Sequence, residues 1–489
     1  MKGEEALSTM TTSLAQRIEA NPANDVALDG ISARFCDALA ALRPEDIPAD
    51  VLHTVKLFVL DTMGVIGGAA RAPGIAEING RISRWDSAGS ATGLITGLRH
   101  SPPHAALVNG AAAHALDFDD MHDPARIHSF CVILPAILAA AEDMGNVDGK
   151  TFLLGLTVAA EAHARLGYTC YNSLGKGWHP TMTLGVLAGA LGIGRMLGLR
   201  DAKMLDAFGL AAHQVCGSAQ SMLDGVLAKR LGAGLAARGA VTAAFLAADG
   251  VTGPFRPLEG NAGLFKLQER DEVRPEELFK GLGELWQTRD YSFKPFPCCR
   301  CKHTTIALAF DLRARGIRPE QIIETTIHLP QVNFQTVGGA YEPERDSIVH
   351  AQFNVAYGFA RALIDGAVDL RSYTRPAITD PGVTALAARV RAVSDPGEPP
   401  TAMGPSRIDL RLADGTDLQI CGRHVPGSPE LPLSEAQILD KFRGCMNFGL
   451  DLAPSALDPF IERVMGLETL PDIRLLVEAF PAVAGRRGV

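Results

Sequence analysis

The chain has 489 residues, of which 47% are hydrophobic, 21% charged and only 6% aromatic, with 50 glycines. That length suits two domains or one large domain with a cap, and it buries enough surface to fold without disulfides or a structural metal. Its 46 basic and 55 acidic residues leave a formal charge of -9, which argues against a global binder of nucleic acid or anionic membrane.

Residues 1–27 are polar and aperiodic and read as a loose extension. The start, Met1-Lys2-Gly3-Glu4-Glu5-Ala6, lacks the basic and apolar regions of a secretory signal. From Ile31 the apolar spacing becomes helical, with Ile31, Phe35, Leu39 and Leu42 on one face, and a break at Pro44 precedes a helix from about Ala49 to Gly67. Helical pattern then dominates to about residue 285. Two stretches, Leu184 to Gly194 and Gly232 to Ala248, are built almost entirely of Gly, Ala and Leu. Each helix-interior glycine costs about 1 kcal/mol relative to alanine, so such helices belong where backbones approach closely in a buried bundle. Apolar runs such as Thr181 to Gly194 stop at a charge short of a bilayer span. With nine scattered cysteines, the sequence reads as a soluble cytoplasmic protein.

The pattern changes near residue 290. Glu324 to Pro330 reads as a strand, and Ile408, Leu410 and Leu412, then Leu418 and Ile420, alternate about Asp414-Gly415 as a hairpin. Helical patterns at about 351–367 and 381–395 lie between them, and helix returns from Ser434 to the end. The expected fold is therefore mainly α: a large all-α domain over 28–289, completed by 434–489, with a smaller α/β (α+β) unit over 290–433.

Four segments carry candidate chemistry. The densest runs from His114 through Asp117, Asp119, Asp120, Met121, His122, Asp123 and Arg126 to His128. On a helix His114, Asp117 and Met121 would share a face, with Asp119 and Asp120 pointing elsewhere. Four carboxylates and three imidazoles fit either a divalent metal, through Asp117, Asp120, His122 and His128, or an acid/base site in which Asp117 orients a histidine. The second segment, Gly175 to Thr181, is a glycine loop opening a helix, with His179 beside N–H groups suited to a carboxylate. In the third, Lys229 leads into a buried helix and supplies a fixed positive charge. The fourth, Phe293 to His303, holds Lys294, three cysteines and His303. It lacks the C-x2-C pairs of a zinc site, and its prolines present Lys294 and Cys299 rigidly at the domain junction.

These segments, taken in order, resemble the MmgE/PrpD family, which includes 2-methylcitrate dehydratase, cis-aconitate decarboxylase and iminodisuccinate epimerase. The matching stretches are Val108-Asn109-Gly110 through His114 to Asp120, Gly177-Trp178-His179-Pro180-Thr181, Lys229 before the small-residue helix, Gly250 to Pro254 with Leu258-Glu259-Gly260, and Lys294 to Pro297 with His303. The resemblance implies an inserted lid domain, a homodimer, a site between the domains, and no metal or organic cofactor. It places functional positions on Asp117, His128, His179, Lys229 and Lys294. Against the decarboxylase type, Met121 stands for Thr, His128-Ser129-Phe130 for His-Pro-Ser, Gly232 for a His and Cys299 for a site His.

Such enzymes act next to a carboxylate of a small polycarboxylate, so a base must work among cations. Lys229, Lys294 and Arg126 are expected to hold carboxylates, with Met121, Cys299, His303 and Tyr341 around the substrate. His128 or His179 is expected to move the proton. The sequence ranks dehydration of a 2-methylcitrate-like hydroxy acid first, epimerisation second and decarboxylation third; a carboxylate-binding member without catalysis is the reading from another class.

Overall fold

A computed structural model of the chain describes residues 30–484; the expected N-terminal extension lies outside them. The principal helices are α1 (Ile31–Ala41), α2 (Ala49–Gly68), α3 (Ile75–Trp85), α4 (Pro102–Ala113), α5 (Phe130–Met144), α6 (Gly149–Thr169), α7 (Gly185–Met196), α8 (Asp201–Ala212), α9 (Ala228–Ala248), α10 (His303–Ala314), α11 (Val355–Asp365) and α12 (Glu435–Leu450). The strands are β1 (Ala91–Thr92), β2 (Arg99–His100), β3 (Met121–His122), β4 (Tyr291–Ser292), β5 (Ile322–Leu329), β6 (Val390–Ser394), β7 (Ser406–Leu412) and β8 (Asp417–Gly422). The protein is mainly α with small sheets.

Apolar side chains gather into two main cores. The larger joins the helices before residue 293 to those after 438, and the smaller joins residues between Cys298 and Ile420. At the centre of the larger core α9 packs on α4, α5, α7 and α8. Glycine makes the α4–α9 crossing: a Cβ on Gly110 would lie 2.8 Å from the Gly234 Cα, and one on Gly234 would press on the Leu107 carbonyl. Gly234→Ala is therefore expected to cost about 2–3 kcal/mol, read as a lower urea midpoint. Helix α12 lies along α2, where Phe442, Cys445 and Met446 fill the places that Gly64, Gly67 and Gly68 leave open. Ala49–Arg71 and Ala228–Ala248 are long and apolar enough to cross a membrane by length and composition, but most of each is buried inside the protein.

In the smaller core α10 and α11 cover one face of a four-stranded sheet in the order β6-β5-β7-β8. The β7–β8 hairpin pairs Ile408 with Ile420 and Leu410 with Leu418, and Gly415 takes the left-handed turn conformation at φ +89°. The second half of the helix expected over 381–395 is instead a strand. Helix stops at Ala387, and Val390–Ser394 pairs in parallel with β5, because a β-branched segment beside an open sheet edge gains ladder hydrogen bonds there.

A two-residue ladder, β3 with β4, ties the acidic loop after α4 to the segment leading into the smaller core. The candidate site sits at this seam.

Candidate active site

Helix α4 ends at Ala113, so residues 114–120 do not share a helical face as the spacing suggests. The chain turns at Asp117, whose φ of +53° is left-handed, a conformation Asp tolerates better than most residues. This turn sends the three carboxylates to three different partners. Asp117 accepts from Lys229 Nζ through Oδ1, and from Lys294 Nζ through its carbonyl at 3.0 Å and Oδ2 at 3.4 Å. Asp119 Oδ2 accepts from His114 Nδ1 at 2.7 Å and lies 3.5 Å from His128 Nδ1. Asp120 caps α5, accepting from the Ser129 and Phe130 amides at 2.8 and 2.9 Å.

Lys229 stands at the start of α9 and Lys294 just after β4. Both are buried, and Lys229 Nζ sits 5.1 Å from the centre of the Phe353 ring. Burial opposes ionisation of Asp117, but the two ammoniums hold its carboxyl well below the usual carboxylate range. Burial likewise opposes charge on Lys294, and Asp117 and Asp119 outweigh it, raising its affinity for the proton. Two cations share one anion, which leaves net positive charge for a ligand.

The His128 ring is fixed from behind. Its Nδ1–H donates to the Asp120 carbonyl at 2.6 Å, and its backbone N–H donates to Thr181 Oγ1 at 3.0 Å, so the histidine–proline segment after Gly177 anchors the first motif. His114 links His128 and His179, with ring centres 5.2 and 5.9 Å away. Burial and the neighbouring Lys294 push His128 well below its ordinary value, against Asp119. Burial, with His114 and Lys229, brings His179 down to about 3. Both rings are neutral at neutral pH, and His128 turns an unprotonated Nε2 toward the cavity.

The cavity, about 50 Å³, is lined by Asp117, Met121, Arg126, His128, His179, Lys229, Lys294 and Cys299 among the expected residues. Arg126, at φ +54°, reaches across the seam to the Thr401 and Ala402 carbonyls and Asn333 Oδ1. Two expected residues lie elsewhere. His303 is buried behind the wall, with Nε2 on the Cys298 carbonyl at 3.1 Å, because it begins α10 and faces the smaller core. Tyr341 donates to the Ile378 carbonyl at 2.5 Å and stacks on His350, so its hydroxyl is committed away from the cavity.

Sequence reasoning missed Asp119, Arg300 and Cys301. Arg300 also lines the cavity and clamps Asp123 through two nitrogens at 2.9 and 2.8 Å; no local spacing connects such partners. Asp119 sat within the acidic run, but its reach to His114 and His128 depends on the turn at Asp117. Asp119→Asn removes the anion that supports a proton on His128. The alkaline limb of the pH–rate profile is expected to move to lower pH, because the proton-delivering imidazolium is lost sooner, and stability to fall by about 2 kcal/mol, read by urea unfolding.

The metal set Asp117, Asp120, His122 and His128 is not assembled. Asp120 is spent on amides, and His122 packs edge-to-face against Tyr168 and Tyr291 with Nδ1 accepting from the Ala125 amide. Among the described residues, His114, Asp119 and His128 offer ligand atoms within 4.8 Å of one another. Both Nδ1 hydrogens are already committed, that of His114 to the Asp119 carboxylate and that of His128 to the Asp120 carbonyl.

Residues 33–275 match the MmgE/PrpD N-terminal domain and residues 296–464 the MmgE/PrpD C-terminal domain. The chain is similar to cis-aconitate decarboxylase of Aspergillus terreus, 28% identical over 483 residues, covering 93% of this chain and 97% of that protein. It is also similar to cis-aconitate decarboxylases of Mus musculus, at 25% identity with 92% and 93% covered, and of Homo sapiens, at 26% with 92% and 94% covered. With both domains matched in order across one continuous chain, the protein belongs to the MmgE/PrpD family.

Proposed function

We propose that the protein is a lyase that decarboxylates a small unsaturated polycarboxylate of the cis-aconitate type, without a metal or organic cofactor. The carrying observation is the pair of buried ammoniums, Lys229 and Lys294, sharing the single carboxylate of Asp117 beside two neutral imidazoles. The relatives named above favour decarboxylation over the dehydration that sequence reasoning put first.

Lys229, Lys294 and Arg126 hold the substrate carboxylates, and Asp117 fixes the two ammoniums. The bound polyanion raises the affinity of His128 and His179 for a proton, so an imidazolium forms as substrate binds. The carbon–carbon bond to one carboxylate breaks and carbon dioxide leaves. The electron pair stays on carbon, conjugated with a remaining carboxylate that the cations stabilise. One imidazolium then delivers its proton to that carbon.

A 50 Å³ cavity holds at most a few waters, too small for such a substrate. In this reading the smaller α/β unit, residues 290–433, is a lid on the helical domain, and the Arg126 bonds to Thr401 and Ala402 are the contacts that opening breaks. The working form is a homodimer, to be checked by light scattering.

Proton NMR in heavy water, with cis-aconitate, methylcitrate isomers, citrate and iminodisuccinate, tests the reaction. Decarboxylation consumes cis-aconitate and places one deuterium on the dicarboxylate product. An alkene formed from methylcitrate instead restores dehydration, exchange without net loss indicates epimerisation, and no change with folded protein removes the lyase reading.

A further inference from the structure

Cys299 and Cys301 both face the cavity, yet the chemistry above gives neither a role. They flank Arg300 where a short 3₁₀ turn, Arg300–Lys302, leaves the cavity wall, and both are buried. The two thiols lie two residues apart on the same stretch of wall, and an Arg126 guanidinium nitrogen lies 4.0 Å from Cys301 Sγ.

These surroundings make the pair unequal. The neighbouring Cys299 thiol and the Arg126 guanidinium, opposed by burial, bring the Cys301 thiol down to about 7. The neighbouring Cys301 sulfur, together with burial, pushes the Cys299 thiol well up. At neutral pH about half of the Cys301 thiols are therefore ionised, while Cys299 stays protonated. Burial instead keeps the thiols of Cys36, Cys131, Cys170, Cys298 and Cys445 protonated. Residues two apart have Cα atoms no more than about 7 Å from each other, and a tight turn draws them into the range a disulfide spans.

We propose that Cys299 and Cys301 form a peroxide-sensitive thiol pair in the wall of the candidate active site, Cys301 being oxidised first and Cys299 closing the disulfide. The Cys301 thiolate attacks one oxygen of hydrogen peroxide. A sulfur–oxygen bond forms, the peroxide bond breaks, and hydroxide leaves beside Arg126. Sulfur loses two electrons and peroxide gains them. The Cys299 sulfur then attacks the Cys301 sulfenic acid, and the Cys299 proton leaves with the hydroxyl as water. Hydrogen peroxide, neutral and little larger than water, fits a space of about 50 Å³.

The test uses the full chain with the exposed cysteines replaced, Cys216→Ser and Cys421→Ser. It is treated at neutral pH with one equivalent of hydrogen peroxide, alkylated, and read by intact mass and non-tryptic peptide mapping. The expected result is loss of two hydrogens per chain, a Cys299–Cys301 link, and full reversal by dithiothreitol. Cys299→Ser accumulates a Cys301 sulfenic acid that dimedone traps. Arg126→Gln slows formation of the link several-fold, as the Cys301 thiolate loses its neighbouring cation.

A link through Cys298, over-oxidation of Cys301 with Cys299 untouched, oxidation confined to methionines such as Met121, Met222 and Met403, or no reaction at the pair would each overturn the proposal. The mapping of the chain with intact Cys299, Cys301 and Arg126 stands even where a variant fails to fold. These masses are read without substrate, so the outcome is independent of the lyase reading.

Discussion

Replacing His128 with glutamine is expected to lower turnover of the polycarboxylate substrate by about 10²–10⁴-fold, while the urea midpoint changes little. Glutamine keeps the backbone N–H that donates to Thr181 Oγ1 and roughly keeps the side-chain volume, but it cannot carry a proton in and out of the cavity. The drop should appear mainly in kcat, because Lys229, Lys294 and Arg126, and so the cations that bind carboxylates, are untouched. His179→Gln, at the other end of the His114 bridge, is the companion measurement. Near-normal turnover in both variants would show that neither imidazole moves the proton.

The second large effect is expected from Asp117→Asn. Asparagine tolerates the left-handed turn at 117, so the substitution removes charge with little change of shape. It leaves Lys229 and Lys294 buried without their shared anion, at a cost of about 3–5 kcal/mol. The pH dependence separates this from a simple loss of packing. In the natural chain the proton affinity of Lys294 is raised by Asp117 and Asp119 against burial. Its contribution is therefore complete below the unfolded lysine value of about 10.4 and is lost only as pH rises through the still higher folded value. In the variant burial gains the upper hand, and the folded state holds fewer protons than the unfolded one. Stability then rises more steeply with pH between about 7 and 9 than in the natural chain. Urea midpoints of both chains across that interval measure the difference, and a variant whose slope matches that of the natural chain would mean that Asp117 does not compensate the lysines. Activity is expected to fall about 10²-fold in kcat/KM, because the two ammoniums lose the carboxylate that positions them.

Much of this molecule is local, and local order is written in the sequence. The Gly–Ala–Leu stretches at 184–194 and 232–248 are interior helices because only small side chains allow backbones as close as Gly110 and Gly234. The Asp414-Gly415 hairpin follows from alternation on both sides of a left-handed glycine. The ionisable positions quoted for the family resemblance were legible in the same way, as ordered segments, and the structure gathers Asp117, His128, His179, Lys229 and Lys294 around one cavity.

What the sequence could not determine is where each of these side chains points. A helix continued through residue 121 would have turned Asp119 away from the histidines. The left-handed turn at Asp117 places it on His114 instead, and that turn is held by lysines 112 and 177 residues further along the chain. The fates of Tyr341, His303 and the Val390 strand were decided the same way, by an Ile378 carbonyl, a Cys298 carbonyl and an open edge of β5. Periodicity records only which face of an element is apolar. The partner of a buried charge or hydroxyl is set by which distant segment meets it when the two cores close on each other, because a polar group removed from water must find its partner there.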